Sequence, residues 1–151
     1  MQLGSLTQPD LIFVSLPGSD RPTVLKAMAD GLASRAILGD AEALYESLLE
    51  REELGSTAIG GGVAIPHCKM KELDEVVVAI GVSRRGVDFA AEDKQAVRLL
   101  FLVVSPEDKP ADHLQSLSAI SKWVKDRSRV EEILELDDPE LIYGLLTAEE
   151  D

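Results

Sequence analysis

The sequence predicts a single α/β domain, in which a mixed and mostly buried β-sheet carries helices on both faces. Two apolar runs, at residues 75–84 and 97–105, lack the alternation of a half-exposed strand, which is typical of central strands covered on both sides. Segments with helical apolar spacing alternate with such runs along the chain. A length of 151 residues is that of one domain, so we expect it to span residues 1–151.

The remaining elements follow from apolar spacing and capping residues. Residues 11–16 predict a short strand or extended segment, and residues 87–89 a short extended piece after a turn at 84–86. Asp20, Asp40 and Asp138 are predicted helix caps. The predicted helices cover about residues 21–36, 41–54, 111–124 and 130–136, with a last one from 139 and an acidic tail, A-E-E-D, that frays.

Composition and charge limit the classes of partner. The chain has 15 Lys and Arg against 28 Asp and Glu, so its net charge is −13. We therefore expect no binding to nucleic acid or an anionic membrane, and a basic protein partner instead, unless the acidity serves only solubility. The longest apolar run, residues 99–104, is far short of the roughly 20 residues that a membrane span needs. A single cysteine, Cys68, and the lack of a signal-peptide pattern favour a cytoplasmic location.

The most informative stretch is residues 55–69, G-S-T-A-I-G-G-G-V-A-I-P-H-C-K. It combines a hydroxyl pair at 56–57 with three glycines at 60–62, which let backbone amides face another group. Pro66 fixes its own φ and favours an extended residue before it, so we expect His67 at the end of a short strand, facing free amides. That arrangement suits a reactive imidazole beside an anion, although a glycine-rich loop before a strand is also often only a turn.

The chain contains only two histidines, His67 and His113, each predicted at the boundary of an element. A neutral imidazole is a nucleophile near neutral pH. A helix beginning at His113 would add unpaired N–H groups and a partial positive charge, which stabilise a phosphate. Arg51, in the last turn of the preceding helix, would add a bidentate donor for the same group.

Two other chemistries would use the same residues. A metal site of His67, Cys68 and His113 is disfavoured, because neighbouring residues in an extended backbone point to opposite sides. A Cys68 nucleophile with His113 as its base meets the same objection, which favours Cys68 as a small buried hydrophobe. The chain has no Walker A or G-x-S-x-G pattern, and we expect neither a metal nor another cofactor.

Residues 51–67, R-E-E-L-G-S-T-A-I-G-G-G-V-A-I-P-H, resemble the signature of the fructose, mannitol and nitrogen-regulatory EIIA domains of the bacterial phosphotransferase system. The resemblance continues through G-V-D-F at 86–89, L-L-F-L-V-V-S-P at 99–106 and P-A-D-H-L-Q-S-L at 110–117. It covers about residues 6–146, which would be the core of the domain.

The resemblance implies that His67 accepts a phosphoryl group on Nε2 from the phosphohistidine of an HPr-type carrier. His113 matches the family histidine that hydrogen-bonds the phosphate, and Arg51 matches the arginine that neutralises its charge. Supporting donors would be Ser56, Thr57 and the amides around Gly61 and Gly62. Such a site needs no metal, because phosphoryl transfer depends mainly on in-line positioning and charge stabilisation.

Several functions remain open on this resemblance. A nitrogen-regulatory EIIA acts through its phosphorylation state on target proteins, and a stand-alone chain favours it over a sugar EIIA that serves an EIIB domain. A module with the same fold that is no longer phosphorylated is a third reading, and a Cys68 thiol enzyme a fourth. The family commonly has glycine where this chain has Cys68, a difference that would affect the approach of a partner more than the phosphate-handling residues.

Overall fold

The computed structural model describes residues 2–148, and its central strand is β6, Val97–Pro106. The long strand β5, Val77–Val87, pairs antiparallel with one edge of β6, and the short β1, Ile12–Phe13, lies parallel beyond β5. On the other edge, β3 (Val63–Ala64) and β4 (His67–Met70) both run parallel to β6, and β2 (Ala58–Gly60) pairs antiparallel with β3. The six strands therefore form one mixed sheet.

Strands β3 and β4 behave as one strand with an interruption at residues 65–66. Val63 lies opposite Leu99 and His67 opposite Val103, so the register along β6 is unchanged across the interruption. The Pro66 carbonyl accepts a hydrogen bond from Val103 N–H at 2.9 Å. The expectation that His67 ends a strand is wrong, because the extended backbone before Pro66 keeps the chain in register and His67 opens β4.

In the part of the chain that the structure describes, the α-helices are α1 (Arg21–Ser34), α2 (Ala41–Glu53), α3 (Pro110–Trp123), α4 (Arg127–Glu135) and α5 (Pro139–Ala148). The Asp20 carboxylate caps α1 by accepting from Thr23 N–H at 2.9 Å, and Asp40 caps α2 in the same way. Asp138 accepts from Glu140 N–H at 2.9 Å at the start of α5. These three predicted caps are confirmed. No helix within residues 2–148 is long and apolar enough to cross a membrane.

Several predicted boundaries differ from the structure. Within residues 11–16, predicted as a short strand or extended segment, only Ile12–Phe13 forms a strand, and Leu11 ends a 3-10 turn that begins at Pro9. The turn predicted at 84–86 lies inside β5 as an irregularity in register. The fourth helix begins at Arg127 instead of residue 130, because Asp126 caps it, and the third begins at Pro110. Residues 149–151 of the predicted acidic tail lie outside the described residues.

Helices cover both faces of the sheet, as predicted. Alternate residues of β6 face opposite sides: Phe101 and Val103 pack with α3, α4 and α5, whereas Leu100 and Leu102 pack with α1 and α2. All four side chains are fully buried. The prediction of a mixed, mostly buried sheet between two helical layers is therefore confirmed.

Candidate functional site

His67 lies where β4 begins, and its ring is held by its own backbone. Its Nδ1 is 2.7 Å from the carbonyl oxygen of Ile65. A carbonyl oxygen only accepts hydrogen bonds, so Nδ1 carries the proton and donates it. In the neutral ring Nε2 is then unprotonated, with its lone pair available to a reaction partner.

Arg51 brings a positive charge to that nitrogen. It lies in the last turn of α2, and its Nε donates to His67 Nε2 at 3.3 Å. Its Nη1 donates to the Gly55 carbonyl at 2.9 Å, which fixes the guanidinium over the end of its own helix. The sequence prediction that Arg51 and His67 share a site is consistent with this contact.

A buried carboxylate anchors the same end of α2. The Glu52 side chain is only 4% exposed and lies 3.4 Å from Nη1 of Arg21 at the start of α1. It accepts hydrogen bonds from both the hydroxyl and the N–H of Thr57, at the beginning of the segment that leads to His67. Glu52 therefore ties together α1, the end of α2 and the chain that follows it.

His113 faces His67 from the first turns of α3. The two ring centroids are 5.5 Å apart, and His113 Nδ1 lies 2.6 Å from the hydroxyl of Ser105 at the end of β6. Burial lowers the pKa of His113 from 6.5 to about 4, and the repulsion that a protonated His113 meets from Lys69 and from a protonated His67 contributes to the decrease. His113 is therefore neutral at physiological pH. Its N–H donates to the Lys109 carbonyl at 3.1 Å, so the unpaired amide expected at this residue is in fact paired.

Two exposed apolar side chains stand beside these residues in the chain. Leu54 is 84% exposed directly after α2, three residues beyond Arg51, and Leu114 is 66% exposed directly after His113. Large exposed apolar side chains next to a polar site are typical of a surface that contacts another protein.

The hydroxyl pair after α2 has structural partners. The Ser56 hydroxyl donates to the Phe89 carbonyl and accepts from Ala58 N–H at 3.1 Å. The Thr57 hydroxyl donates to Glu52 and is buried. Neither hydroxyl is directed by these contacts to His67, so both shape the segment that carries it.

The glycine turn also has other partners. Gly61 N–H donates to the Asp93 carboxylate at 2.9 Å, and a Cβ on Gly61 would lie 2.6 Å from the guanidinium of Arg127. The Gly62 carbonyl accepts from Leu99 N–H, which places this turn four residues along β6 from the partner of His67, about 13 Å away. The amides are not a free cradle beside the imidazole, and the positive φ of residues 60–62 serves the tight turn between β2 and β3.

Cys68 packs on the opposite face of the sheet from His113. It contacts the cluster that α1 and α2 cover, and burial raises the pKa of its thiol to about 12. The prediction that Cys68 is turned away from the face of His67 is confirmed. Within residues 2–148, no three side chains of His, Cys, Asp or Glu are grouped so that they could hold a metal ion.

Two residues of the site are not among those that the sequence singles out. Ser105 is the last residue of the apolar run at 97–105, and its hydroxyl-to-imidazole contact depends on how α3 returns onto β6. Glu52 stands next to Arg51 in the signature, and it is buried although it is a charged residue. Neither role has a local sequence signal.

A family model described as "Phosphoenolpyruvate-dependent sugar phosphotransferase system, EIIA 2" matches residues 5–149. The chain belongs to this family. A nitrogen regulatory protein of Bradyrhizobium diazoefficiens is 35% identical over 147 residues, which cover 97% of this chain and 95% of that protein. A fructose-specific EIIA component of Haloferax volcanii is 30% identical over 144 residues, which cover 95% of this chain and 94% of that protein.

The EIIA fold is confirmed by a solved structure. The crystal structure of the nitrogen regulatory protein IIA-Ntr from Neisseria meningitidis matches with a TM-score of 0.88 at 27% identity, covering 95% of this chain and 98% of that one. The family resemblance predicted from residues 51–67 and its continuation is therefore confirmed, together with the α/β fold class.

Proposed function

We propose that this EIIA protein is a phosphocarrier that accepts a phosphoryl group on Nε2 of His67 from the phosphohistidine of an HPr-type carrier. The observation that carries the proposal is the hydrogen bond from His67 Nδ1 to the Ile65 carbonyl. It leaves Nε2 as the unprotonated nitrogen, between Arg51 and His113. Family membership supplies the class of reaction.

The transfer needs only the residues already described. The Nε2 lone pair attacks phosphorus as the donor's N–P bond breaks, and that electron pair returns to the donor ring, which carries a proton on its other nitrogen and so leaves as a neutral imidazole. His67 keeps its proton on Nδ1, hydrogen-bonded to the Ile65 carbonyl, and its ring takes on the positive charge that the donor ring gives up. The Arg51 N–H leaves Nε2 and binds a phosphoryl oxygen, where a charge-assisted hydrogen bond stabilises the in-line transition state.

His113 contributes a hydrogen bond without a charge. Its ring is neutral, and because its centroid lies 5.5 Å from that of His67, it would reach a phosphoryl group attached to Nε2. Among His67, His113 and Arg51, only Arg51 is always charged. Its single fixed charge attracts the phosphoryl group without binding it so tightly that it cannot be passed on.

The partner surface is formed around these groups. The exposed side chains of Leu54 and Leu114 would contact the carrier, because its phosphohistidine must reach Nε2 of His67 in line. The net charge of −13 favours a carrier with a basic face and speeds the encounter at low salt. This exchange belongs in the cytoplasm, which also suits the free thiol of Cys68.

Between regulation and transport, we propose the nitrogen-regulatory role. The Bradyrhizobium nitrogen regulatory protein is 35% identical and the Haloferax fructose-specific EIIA component 30% identical, a difference that favours regulation through target proteins. The second candidate is a sugar EIIA that passes the group to an EIIB domain. Mixing the phosphorylated protein with EIIB domains distinguishes them, since efficient transfer to a sugar-specific EIIB would refute the regulatory proposal.

The decisive experiment is labelling with a phosphorylated HPr-type carrier. We expect an acid-labile, alkali-stable phosphate on the wild type and none on His67→Ala. Cys68→Ala is the matched control, because it changes the next residue on the opposite face and should label like the wild type. Equal labelling of His67→Ala would refute the proposal. Unlabelled wild type that still binds a target protein tightly would indicate a module that has lost phosphorylation.

A further inference from the structure

Ser105 lies against the imidazole that faces His67. It belongs to β6 opposite Lys69 of β4, and it is completely buried. Its Oγ is 2.6 Å from Nδ1 of His113. Among residues 2–148, this nitrogen is the one hydrogen-bond partner that the Ser105 hydroxyl has.

Two arrangements of the hydrogen atoms fit that distance. In one, the Ser105 hydroxyl donates to Nδ1, and the ring proton of His113 lies on Nε2. In the other, Nδ1–H donates to Oγ, and the hydroxyl hydrogen of Ser105 is buried without an acceptor. Leaving a buried donor unsatisfied is costly, which favours the first arrangement.

We propose that Ser105 is a positioning residue that donates its hydroxyl hydrogen to Nδ1 of His113 and thereby keeps the His113 proton on Nε2. The proposal rests on the phosphocarrier function, because that proton matters when a phosphoryl group is attached to His67. The opposite tautomer would present a lone pair to the phosphoryl oxygens and repel them. Ser105 acts only through His113.

The two histidines then carry their ring protons on different nitrogens. One partner decides the tautomer of each ring, a backbone carbonyl for His67 and a side-chain hydroxyl for His113. An acceptor, the Ile65 carbonyl, receives a hydrogen bond from Nδ1–H of His67 and leaves Nε2 as a nucleophile. A donor, the Ser105 hydroxyl, occupies Nδ1 of His113 and leaves Nε2–H as a hydrogen-bond donor. Two neutral imidazoles thus supply a nucleophile and a donor without a proton moving between them.

The tautomers can be measured directly on the unphosphorylated protein. Long-range proton–nitrogen NMR correlations of the ¹⁵N-labelled histidine rings, at neutral pH, distinguish a protonated from an unprotonated ring nitrogen. We expect the Nε2–H form for His113 and the Nδ1–H form for His67. Finding His113 in the Nδ1–H form would overturn the proposal.

Variants of Ser105 test the consequence for transfer. In Ser105→Ala we expect a mixture of His113 tautomers and labelling by the carrier that is about tenfold slower, the loss of roughly one hydrogen bond. Ser105→Thr keeps the hydroxyl and should restore the single tautomer. Ser83→Ala is the matched control, because Ser83 is an equally buried serine of β5 toward the opposite end of the sheet.

The outcomes separate this proposal from the function on which it rests. A Ser105→Ala protein with the wild-type tautomer and labelling rate would refute the role of Ser105 and leave the phosphocarrier function standing. A wild type that no carrier labels would refute the phosphocarrier function, whereas the NMR tautomers would still decide the Ser105–His113 hydrogen bond.

Discussion

Replacing Glu52 with glutamine tests whether the end of α2 is held by a buried carboxylate. Glutamine keeps the shape of the side chain but has one acceptor oxygen, and its NH2 group can only donate. Glu52 now accepts from the hydroxyl and the N–H of Thr57 and from Arg21, all of them donors. In the variant the amide NH2 can face only the Thr57 hydroxyl, which accepts from it, and the hydrogen of that buried hydroxyl then loses its acceptor.

The expected loss follows from the burial of each partner. Thr57 is buried, and a buried donor left without its acceptor costs about 1–3 kcal/mol. Arg21 has 31% of its side chain exposed, so its ion pair with Glu52 adds at most about 1 kcal/mol. Together these give a decrease in the free energy of unfolding of about 3 kcal/mol, or about 9 °C in Tm for a domain of this size.

Urea and thermal unfolding of Glu52→Gln and Glu53→Gln provide the assay. Glu53 is the next residue, is exposed and carries the same charge, so Glu53→Gln removes the same charge from a chain of net charge −13. We expect the control to lie within about 0.5 kcal/mol of the wild type. If Glu52→Gln unfolds like Glu53→Gln, the carboxylate does not anchor the helix and the reasoning fails.

Two further predictions concern titratable groups. The pKa of His113 falls from 6.5 to about 4 on folding, so between these values the unfolded chain binds a proton there that the folded protein does not. The contribution of His113 to stability is therefore fully present above about pH 6.5 and is lost as the pH falls toward 4. This contribution is about 2 kcal/mol after allowance for solvent screening. Urea unfolding at neutral pH and at about pH 4.5 gives the decrease in the free energy of unfolding on acidification. We expect a smaller decrease in His113→Gln than in the wild type, and an equal decrease would contradict the neutral buried imidazole. Cys68, whose pKa is raised to about 12, should be alkylated by iodoacetamide at least about a hundredfold more slowly in the native protein than in urea. Mass spectrometry measures this rate, and fast native alkylation would revive a thiol nucleophile.

The sequence predicted the residues whose roles depend on local backbone and on the family signature. His67 and Arg51 lie 16 residues apart within one continuous motif, so their meeting needs only one helix end and one extended segment. His113 was found because the chain has just two histidines. The sheet and its two helical layers followed from the apolar runs of β5 and β6.

The misplaced features depend on contacts between distant parts of the chain. The sequence predicts the glycines at 60–62 beside the imidazole, yet they lie at the other end of β3, where Gly61 donates to Asp93 and packs against Arg127. Three consecutive glycines indicate a turn with positive φ, whereas Asp93, which accepts from the Gly61 N–H, lies 32 residues away in the sequence. The role of Ser105 is not predictable from the sequence for the same reason, since its hydroxyl contacts His113 only once α3 has packed against β6.

The interrupted edge strand links the fold to the chemistry of His67. Pro66 uses its carbonyl in the sheet, where it accepts from Val103, and successive carbonyls of a strand point in opposite directions. The Ile65 carbonyl therefore points away from β6, and it accepts a hydrogen bond from Nδ1–H of His67 at 2.7 Å. Because a backbone carbonyl cannot rotate as a side-chain acceptor can, the nucleophilic tautomer is a consequence of strand register rather than of a third catalytic side chain. A sheet edge that stays in register through a proline thus fixes both the position of the imidazole and the nitrogen that reacts.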